Sequence, residues 1–337
     1  MSSLQCIQEL KKLGPGVSFK SIFVVTSLFQ KNDKNGKPYY EISVLDPTGT
    51  IDAKIWADAS WFDRSGENEN ISMPAQKLSE EKMRDLVGKT MGIDGKTAEF
   101  RGQLQFNFNK LTLLNQESFP AAQYLTRSPI PIADMEARYE ALVSSCRPEI
   151  ADFLRFVFSG DLWRKFRDWP AAVNHHHAYA NGLLEHTLSV TDAAKSLAEA
   201  MRRSGYDVDV DVVVAGGLLH DLGKLDSYKM NSIPEMTVSG AVLDHVAQGY
   251  LRFMELAEKG GLDEKLKLHL AHILLSHHGQ REFGSPVIPA TPEALIVSSA
   301  DELDFRMFCW ADSVKDLTEE QPISQWNNSV GRRFWNR

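Results

Sequence analysis

The chain has 337 residues, enough for two or three domains, and 43% of them are hydrophobic, which suffices for ordinary buried cores. Its net charge of −8 argues against a protein that coats nucleic acid along its whole length. The charge is uneven, because residues 1–115 carry a net +1 and the remainder carries −9. The first segment can still present a local basic face. Part of the later acidic excess would be offset if carboxylates bind metal.

The three cysteines are far apart and form no C-x-x-C pair: Cys6, Cys146 and Cys309. This pattern fits a reducing compartment and excludes a zinc site built from thiolates. No apolar run has the length of a signal peptide or of a membrane span. We therefore expect a cytoplasmic protein with no membrane partner.

Residues 1–115 have a β pattern after a short helix or arm at residues 1–13. Strands are predicted at residues 18–30, 38–45, 50–56, 89–100 and 102–114. A helix capped by Ser79 is predicted at residues 79–88, and Asn35-Gly36 predicts a hairpin turn. Five strands with a helix between the third and fourth is the order of an OB-fold. We therefore predict an N-terminal five-stranded OB-fold β-barrel that binds nucleic acid.

This first domain is dense in aromatic and basic side chains, which suit base stacking and phosphate neutralisation on a single strand. The candidates for contact with such a strand are Lys37, Lys54, Arg101, Phe106 and Phe108. The alternative is that most of the aromatic side chains form the barrel core. The last strand alternates amides with apolar residues, so its amide-rich face either reads bases or faces water: Gln103, Gln105, Asn107 and Asn109.

The chain becomes helical after a proline-containing linker at residues 116–135. We predict an all-α domain at residues 136–315 and a C-terminal tail at residues 316–337. Helices are expected at residues 136–158, 161–168, 183–203, 211–221, 238–258, 263–277 and 292–310.

Candidate metal ligands recur in this helical domain. His220 and Asp221 follow the buried run Val212–Leu219, with Gly223 as a helix stop, and this pair suits a divalent metal of borderline hardness. Five more ligand-competent residues lie in mainly apolar helices: His186, His245, His277, His278 and Asp301. Any one of them could be a satisfied core residue. Seven would each need a private partner, whereas a shared metal site accounts for them together.

The order His186, His220-Asp221, Asp301 resembles the HD phosphohydrolase superfamily. The three other histidines fall where two-metal members of that superfamily have theirs. An OB-fold followed by this domain is similar to the YhaM-type 3′–5′ exoribonucleases, and two strings support that likeness: Gly182-Leu183-Leu184-Glu185-His186-Thr187 and Leu275-Ser276-His277-His278-Gly279. The chain departs from the family pattern in having Asn181-Gly182 for Gly-Gly, and three histidines at residues 175–177 where the family has two.

The resemblance implies a metal-dependent 3′–5′ exoribonuclease that hydrolyses phosphodiester bonds and releases nucleoside 5′-monophosphates. It implies two divalent ions, expected to be Mn²⁺, with Fe²⁺, Co²⁺ or Mg²⁺ as alternatives. The predicted partner is single-stranded RNA, with single-stranded DNA as an alternative, and a homo-oligomer is left open. Next to the first ligand, His176 and His177 are expected to contact substrate, and the alternative is that the triplet at residues 175–177 forms a solvated loop.

The residues themselves suggest two catalytic roles. The two oxygens of Asp221 can reach both metals, so this carboxylate is the expected bridging ligand, and the metals would activate water. Lys224 is expected to contact the substrate and to stabilise charge on its phosphoryl oxygens. Two other functions stay open. One is an HD-domain phosphohydrolase of free or cyclic nucleotides, and the other is a non-enzymatic regulator that binds single strands.

Overall fold

The computed structural model describes residues 4–66, 71–73, 78–100, 102–125, 127–172, 179–230, 233–315 and 317–337. The chain divides into two compact units, with a boundary between Arg127 and Ser128, and the short segment Met230–Ile233 is grouped with the first unit. This boundary falls inside the predicted linker, whose last residues are already helical. No helix in the described part of the chain is both long and apolar enough to span a membrane.

The first unit is a closed β-barrel. Its elements are α1 (Ile7–Leu10), β1 (Ser18–Asn32), β2 (Pro38–Asp46), β3 (Gly49–Ile55), β4 (Ser60–Asp63), β5 (Ile71–Met73), α2 (Glu80–Leu86), β6 (Thr90–Phe100) and β7 (Gln103–Leu113). The sheet order is β3-β2-β1-β6-β7-β4-β5, and a parallel pairing of β3 with β7 closes five of the strands into a barrel. The predicted OB-like barrel is confirmed. The short strands β4 and β5 were not predicted.

The barrel is held together by an aromatic core. Phe19 meets Phe106 and Phe108 edge to face, with ring centroids 6.2 and 6.1 Å apart, and such pairs add to the stabilisation from buried area alone. Helix α2 begins as predicted, because the Ser79 hydroxyl accepts a hydrogen bond from the backbone N–H of Lys82 at 3.1 Å.

The second unit is helical. Its elements are α3 (Ile132–Ser144), α4 (Pro148–Val157), α5 (Gly160–Asp168), α6 (Gly182–Arg203), α7 (Val210–Leu219), α8 (Lys224–Ser227), a hairpin of β8 (Tyr228–Met230) and β9 (Pro234–Met236), α9 (Val238–Lys259), α10 (Glu264–Ser276) and α11 (Pro292–Val314). Helix α7 is apolar on all sides and buried from Val212 to Leu219, as expected of a central core helix.

Two details differ from the sequence prediction. The helix expected at residues 136–158 is two helices, because proline at position 148 disfavours helical backbone at Arg147 and itself starts α4. The predicted tail contains an antiparallel turn, the C-terminal hairpin (residues 323–335), with bridges Ile323–Trp335 and Asn327–Arg332.

Candidate metal centre

Five helical segments bring six of the seven predicted ligands into two clusters, and the seventh, Asp221, lies between them. His186 comes from α6, and Asp301 comes from α11. His220 and Asp221 lie in the turn after α7. His245 lies in α9, and His277 and His278 follow α10. Nitrogen and oxygen atoms of His186, His220 and Asp301 lie within 4.8 Å of one another, as do nitrogens of His245, His277 and His278.

The turn that carries Asp221 lies directly against the backbone of α9. A Cβ atom at Gly223 would overlap the carbonyl oxygen of His245 and would lie 2.8 Å from Gly249 Cα. Gly223 has ordinary right-handed backbone angles, with φ −71°. The prediction that it acts as a helix stop is therefore wrong. Glycine is needed here because only a residue without a side chain lets the two clusters approach.

In the first cluster the histidines are oriented by partners on Nδ1. His186 Nδ1 lies 2.8 Å from Asp304 Oδ2, and His220 Nδ1 lies 2.7 Å from the carbonyl oxygen of Gly217. Both partners are acceptors, so each Nδ1 donates to its partner and each Nε2 is left to face the cluster, where it can bind a metal in the neutral form of the ring. These two Nε2 atoms face each other at 3.2 Å.

The second cluster repeats this arrangement. Nδ1 of His245 lies 2.7 Å from Asp244 Oδ1, and Nδ1 of His277 and of His278 lie 2.7 Å from the carbonyl oxygens of Leu274 and Phe283. Nε2 of His245 and Nε2 of His278 are 3.1 Å apart. Nε2 of His277 is buried and has no hydrogen-bond partner in the described part of the chain.

Asp221 lies between the clusters with one oxygen toward each. Its Oδ2 is 3.1 Å from His186 Nε2 and 3.2 Å from His220 Nε2. Its Oδ1 is 3.5 Å from His245 Nε2 and 3.8 Å from His277 Nε2. This carboxylate therefore has the placement that a ligand shared by two cations requires.

The donor set fits two divalent cations. Two ligands at the usual metal–nitrogen distance of about 2.0–2.1 Å lie about 3.0–3.4 Å from each other, which matches the Nε2 separations in both clusters. Facing lone pairs repel unless a cation or proton lies between them. Fixing Nδ1 on a carboxylate or carbonyl is also how proteins commonly orient histidine ligands for metals.

The two clusters differ in charge. Burial lowers the pKa of His186, but hydrogen bonds to Asp221, Asp301 and Asp304 outweigh it and raise that pKa well above its usual value. By contrast, burial and the neighbouring His278 and His220 lower the pKa of His277 well below its usual value. The first cluster therefore combines imidazole with carboxylates, whereas the second consists of imidazoles and shares Asp221.

Asp304 was not among the predicted site residues, although it contacts a predicted metal ligand. Its side chain is 12% exposed and holds His186. It lies three residues after Asp301, on the same helix face, and this spacing was a usable signal. Asp244 was not among the predicted site residues either. It supports His245 from a left-handed backbone conformation with φ 63° and ψ 157°, a strained region for a residue with a side chain.

Lys224 is buried next to the centre, with Nζ 2.6 Å from Asp221 Oδ2. Burial raises the pKa of Asp221, but Lys224 and His220 outweigh it and hold that pKa well below its usual value, so the carboxylate is ionised. Both residues line a cavity of about 580 Å³ that also reaches His245, His278 and Asp301. A small anionic ligand therefore has space beside the clusters.

Only some of the barrel residues that were predicted to contact single-stranded nucleic acid lie where such a substrate could reach them. Phe106 and Phe108 are 7% and 1% exposed and belong to the barrel core, so the prediction that they contact substrate is wrong. Lys37 is exposed at the end of the β1–β2 hairpin. Arg101, His176 and His177 lie outside the described residues.

Three aromatic side chains lie around Lys54 on the barrel surface, and the sequence did not predict that they form one group. We call Lys54, Tyr39, Trp56 and Phe100 the aromatic platform. Tyr39 and Trp56 stack with centroids 5.1 Å apart and planes at 28°, and Lys54 Nζ lies 5.6–5.7 Å from the three ring centroids. Trp56 and Phe100 are 37% and 57% exposed. Trp56 Nε1 donates to Asn107 Oδ1 on the amide face of β7 at 3.0 Å.

Asn181 stands where the family pattern has glycine, and this difference has a structural explanation. This residue precedes α6 with φ 69°, a left-handed conformation that glycine adopts freely and asparagine tolerates better than most residues. Its Nδ2 donates to the carbonyl oxygen of Arg167 at 2.9 Å. Asparagine can therefore replace the glycine of the family pattern without moving His186.

Comparison with known proteins agrees with this geometry. Residues 183–306 match the HD domain family. The chain is 29% identical over 275 residues to the 3′–5′ exoribonuclease YhaM of Bacillus subtilis (strain 168). This match covers 81% of the chain and 80% of that protein. Among solved structures, the second OB-fold domain of replication protein A from Methanococcus maripaludis covers 31% of this chain and 90% of its own, at 14% identity and a TM-score of 0.19, too low to support an argument. The chain therefore contains an HD domain and is a hydrolase, and over 81% of its length it is similar to an exoribonuclease of the YhaM type, to which its sequence motifs pointed.

Proposed function

We propose that this protein is a two-metal 3′–5′ exoribonuclease that removes nucleoside 5′-monophosphates from single-stranded RNA. The observation that carries the proposal is the pair of clusters on either side of Asp221, each with imidazole nitrogens fixed to face inward. The relative that is named as a 3′–5′ exoribonuclease supports the choice of substrate and direction.

The first cation would be held by His186, His220, Asp301 and one oxygen of Asp221. The second would be held by His245, His277, His278 and the other oxygen. Two divalent ions, which we propose to be Mn²⁺, would supply Lewis acidity, lower the pKa of water and offset the charge of the phosphodiester. Only two carboxylates are in this ligand set, so the loaded site would keep a positive charge that favours an anionic substrate.

The chain's own residues position these groups. Asp304 and Asp244 hold the rings of His186 and His245 by hydrogen bonds to Nδ1. Lys224 places a fixed positive charge on the cavity wall, and its burial against Asp221 keeps that charge in one place. We propose that it favours the negative charge that develops on the phosphoryl oxygens during hydrolysis.

We further propose that the aromatic platform binds the single strand. Its exposed rings offer stacking surfaces to bases of any sequence, and Lys54 supplies a positive charge for the phosphates. This assignment replaces Phe106 and Phe108 with Trp56 and Phe100, which are accessible. Single-stranded DNA would bind by the same contacts, since stacking does not require a 2′-hydroxyl.

Digestion of end-labelled RNA tests the proposal. With Mn²⁺, a 5′-labelled strand should shorten stepwise, a 3′-phosphate should block digestion, and a circular strand should stay intact. The near-isosteric variant Asp221→Asn should be inactive, whereas Asp312→Asn, which changes an exposed carboxylate on α11, should behave as wild type. Rapid internal cutting of the circle would contradict exonuclease action. Hydrolysis of dGTP or cyclic dinucleotides without digestion of RNA would favour the rival nucleotide phosphohydrolase.

A further inference from the structure

The cavity beside the metal centre has a second wall that the proposed chemistry does not use. The residues on this wall are Tyr228, Phe283, Phe305, Arg306, Ser329 and Val330. Three of these side chains are aromatic and one is cationic. Since the metal ligands line the same cavity, a molecule bound there would meet aromatic rings and phosphate-binding groups together.

Phe283 is the most informative member of this wall. Its ring is 58% exposed, although its carbonyl oxygen accepts the hydrogen bond from His278 Nδ1 at 2.7 Å. The ring therefore belongs to a residue whose backbone orients a metal ligand. An exposed aromatic ring beside a metal cluster is costly to leave in water, but it is useful if a flat apolar group stacks on it.

The size and chemistry of the cavity match one nucleotide. Its volume of about 580 Å³ is within the range of about 300–1,000 Å³ that is usual for small-molecule pockets. Lys224 and Arg306 supply the cations that a phosphate needs. Arg306 is paired with Glu302 at 2.5 Å, and a guanidinium has further N–H groups with which to bind a phosphate oxygen.

We propose that this cavity is the pocket of the 3′-terminal nucleotide, with its base against Phe283 and Phe305 and its phosphate facing Lys224 and Arg306. The proposal rests on the exonuclease function proposed above and names the residues that would select a strand end. The nucleoside 5′-monophosphate released by hydrolysis is the same nucleotide, so it binds the same pocket after cleavage.

The C-terminal hairpin (residues 323–335) contributes its tip to this pocket through Ser329 and Val330. The hairpin is attached to the helix that carries Asp301. Asn327 Nδ2 donates to Ser313 Oγ at 3.0 Å, and Trp310 Nε1 donates to the carbonyl oxygen of Trp335 at 3.4 Å. The hairpin tip that lines the pocket and the metal ligand Asp301 are therefore connected through α11.

Calorimetric binding to the full chain with Mn²⁺ tests the pocket without relying on RNA digestion. The two probes are adenosine 5′-monophosphate and ribose 5-phosphate, which differ by the base alone. We expect the nucleotide to bind about 5- to 150-fold more tightly, the range that base stacking on aromatic side chains provides. In Phe283→Ala this ratio should fall by at least about 5-fold. Met307→Ala should keep the full ratio, because Met307 is exposed on α11, the helix that carries Phe305 and Arg306, but does not line the described cavity.

Equal binding of the two probes to the wild type would overturn the pocket, as would an unchanged ratio in Phe283→Ala or an equal loss in Met307→Ala. Failure of the pocket is separate from failure of the exonuclease. If the protein digests RNA but binds the two probes equally, the proposed pocket is refuted and the exonuclease function is not. A Phe283-dependent preference for the nucleotide, without RNA digestion, keeps the pocket and removes the exonuclease.

Discussion

Replacing Gly223 by alanine should separate the two metal clusters. The new Cβ would overlap the carbonyl oxygen of His245 and approach Gly249 Cα to 2.8 Å, and neither backbone atom can rotate away. Normal carbon contacts need about 3.5–4.0 Å, so the turn and α9 must move apart by roughly 1 Å. Metal–ligand bonds tolerate deviations of only about 0.2 Å from their ideal lengths. A displacement of this size therefore takes His245 out of reach of a cation shared through Asp221.

Gly223→Ala should consequently lose about 1–3 kcal/mol of unfolding free energy through overpacking, and about 100-fold in the rate of RNA hydrolysis. Urea unfolding, bound Mn²⁺ per chain and digestion rate measure the three effects. The matched control is Gly249→Ala at the same contact, where the nearest atoms to a new Cβ are 3.1 and 3.4 Å away and a small shift suffices. A Gly223→Ala protein with wild-type stability and full metal content would refute the reasoning.

Three further substitutions separate the roles assigned above. Asp304→Asn should weaken metal binding about 10- to 100-fold, because His186 loses the carboxylate that orients its ring. Unchanged affinity in a Mn²⁺ titration would remove Asp304 from the centre. On the barrel, Trp56→Ala should weaken binding of single-stranded RNA by about 1–3 kcal/mol with little change in stability. Phe106→Ala should instead cost about 3–5 kcal/mol of unfolding free energy, and the reverse pattern in filter-binding and urea experiments would contradict the assignment.

The periodicity of the sequence was sufficient for the main elements of the fold. The strand pattern and the Ser79 cap gave the barrel, and the apolar run of α7 gave the central helix. Short strands such as β4 and β5 were missed because a few residues paired at an edge leave no clear alternation. The break at Arg147 could have been read from Pro148, since proline restricts the residue before it.

The metal ligands could be predicted because each combines an unusual residue type with an apolar helix. Roles that depend on which side a residue faces were harder to assign. If Gln105 and Asn107 face outward, the alternation along β7 requires Phe106 and Phe108 to face inward. The sequence therefore already argued against contact of these two rings with substrate. Gly223 gave no signal of its own, because its requirement comes from α9, which packs against it only in the folded chain.

The central claim is that two cations are held by one shared carboxylate, and native mass spectrometry of the full chain saturated with Mn²⁺ tests it most directly. We predict two ions per wild-type chain, one in His278→Ala and none retained at the same free Mn²⁺ concentration in Asp221→Ala, with each variant folded by circular dichroism. A single ion in the wild type, or two ions in Asp221→Ala, would contradict a shared two-metal centre.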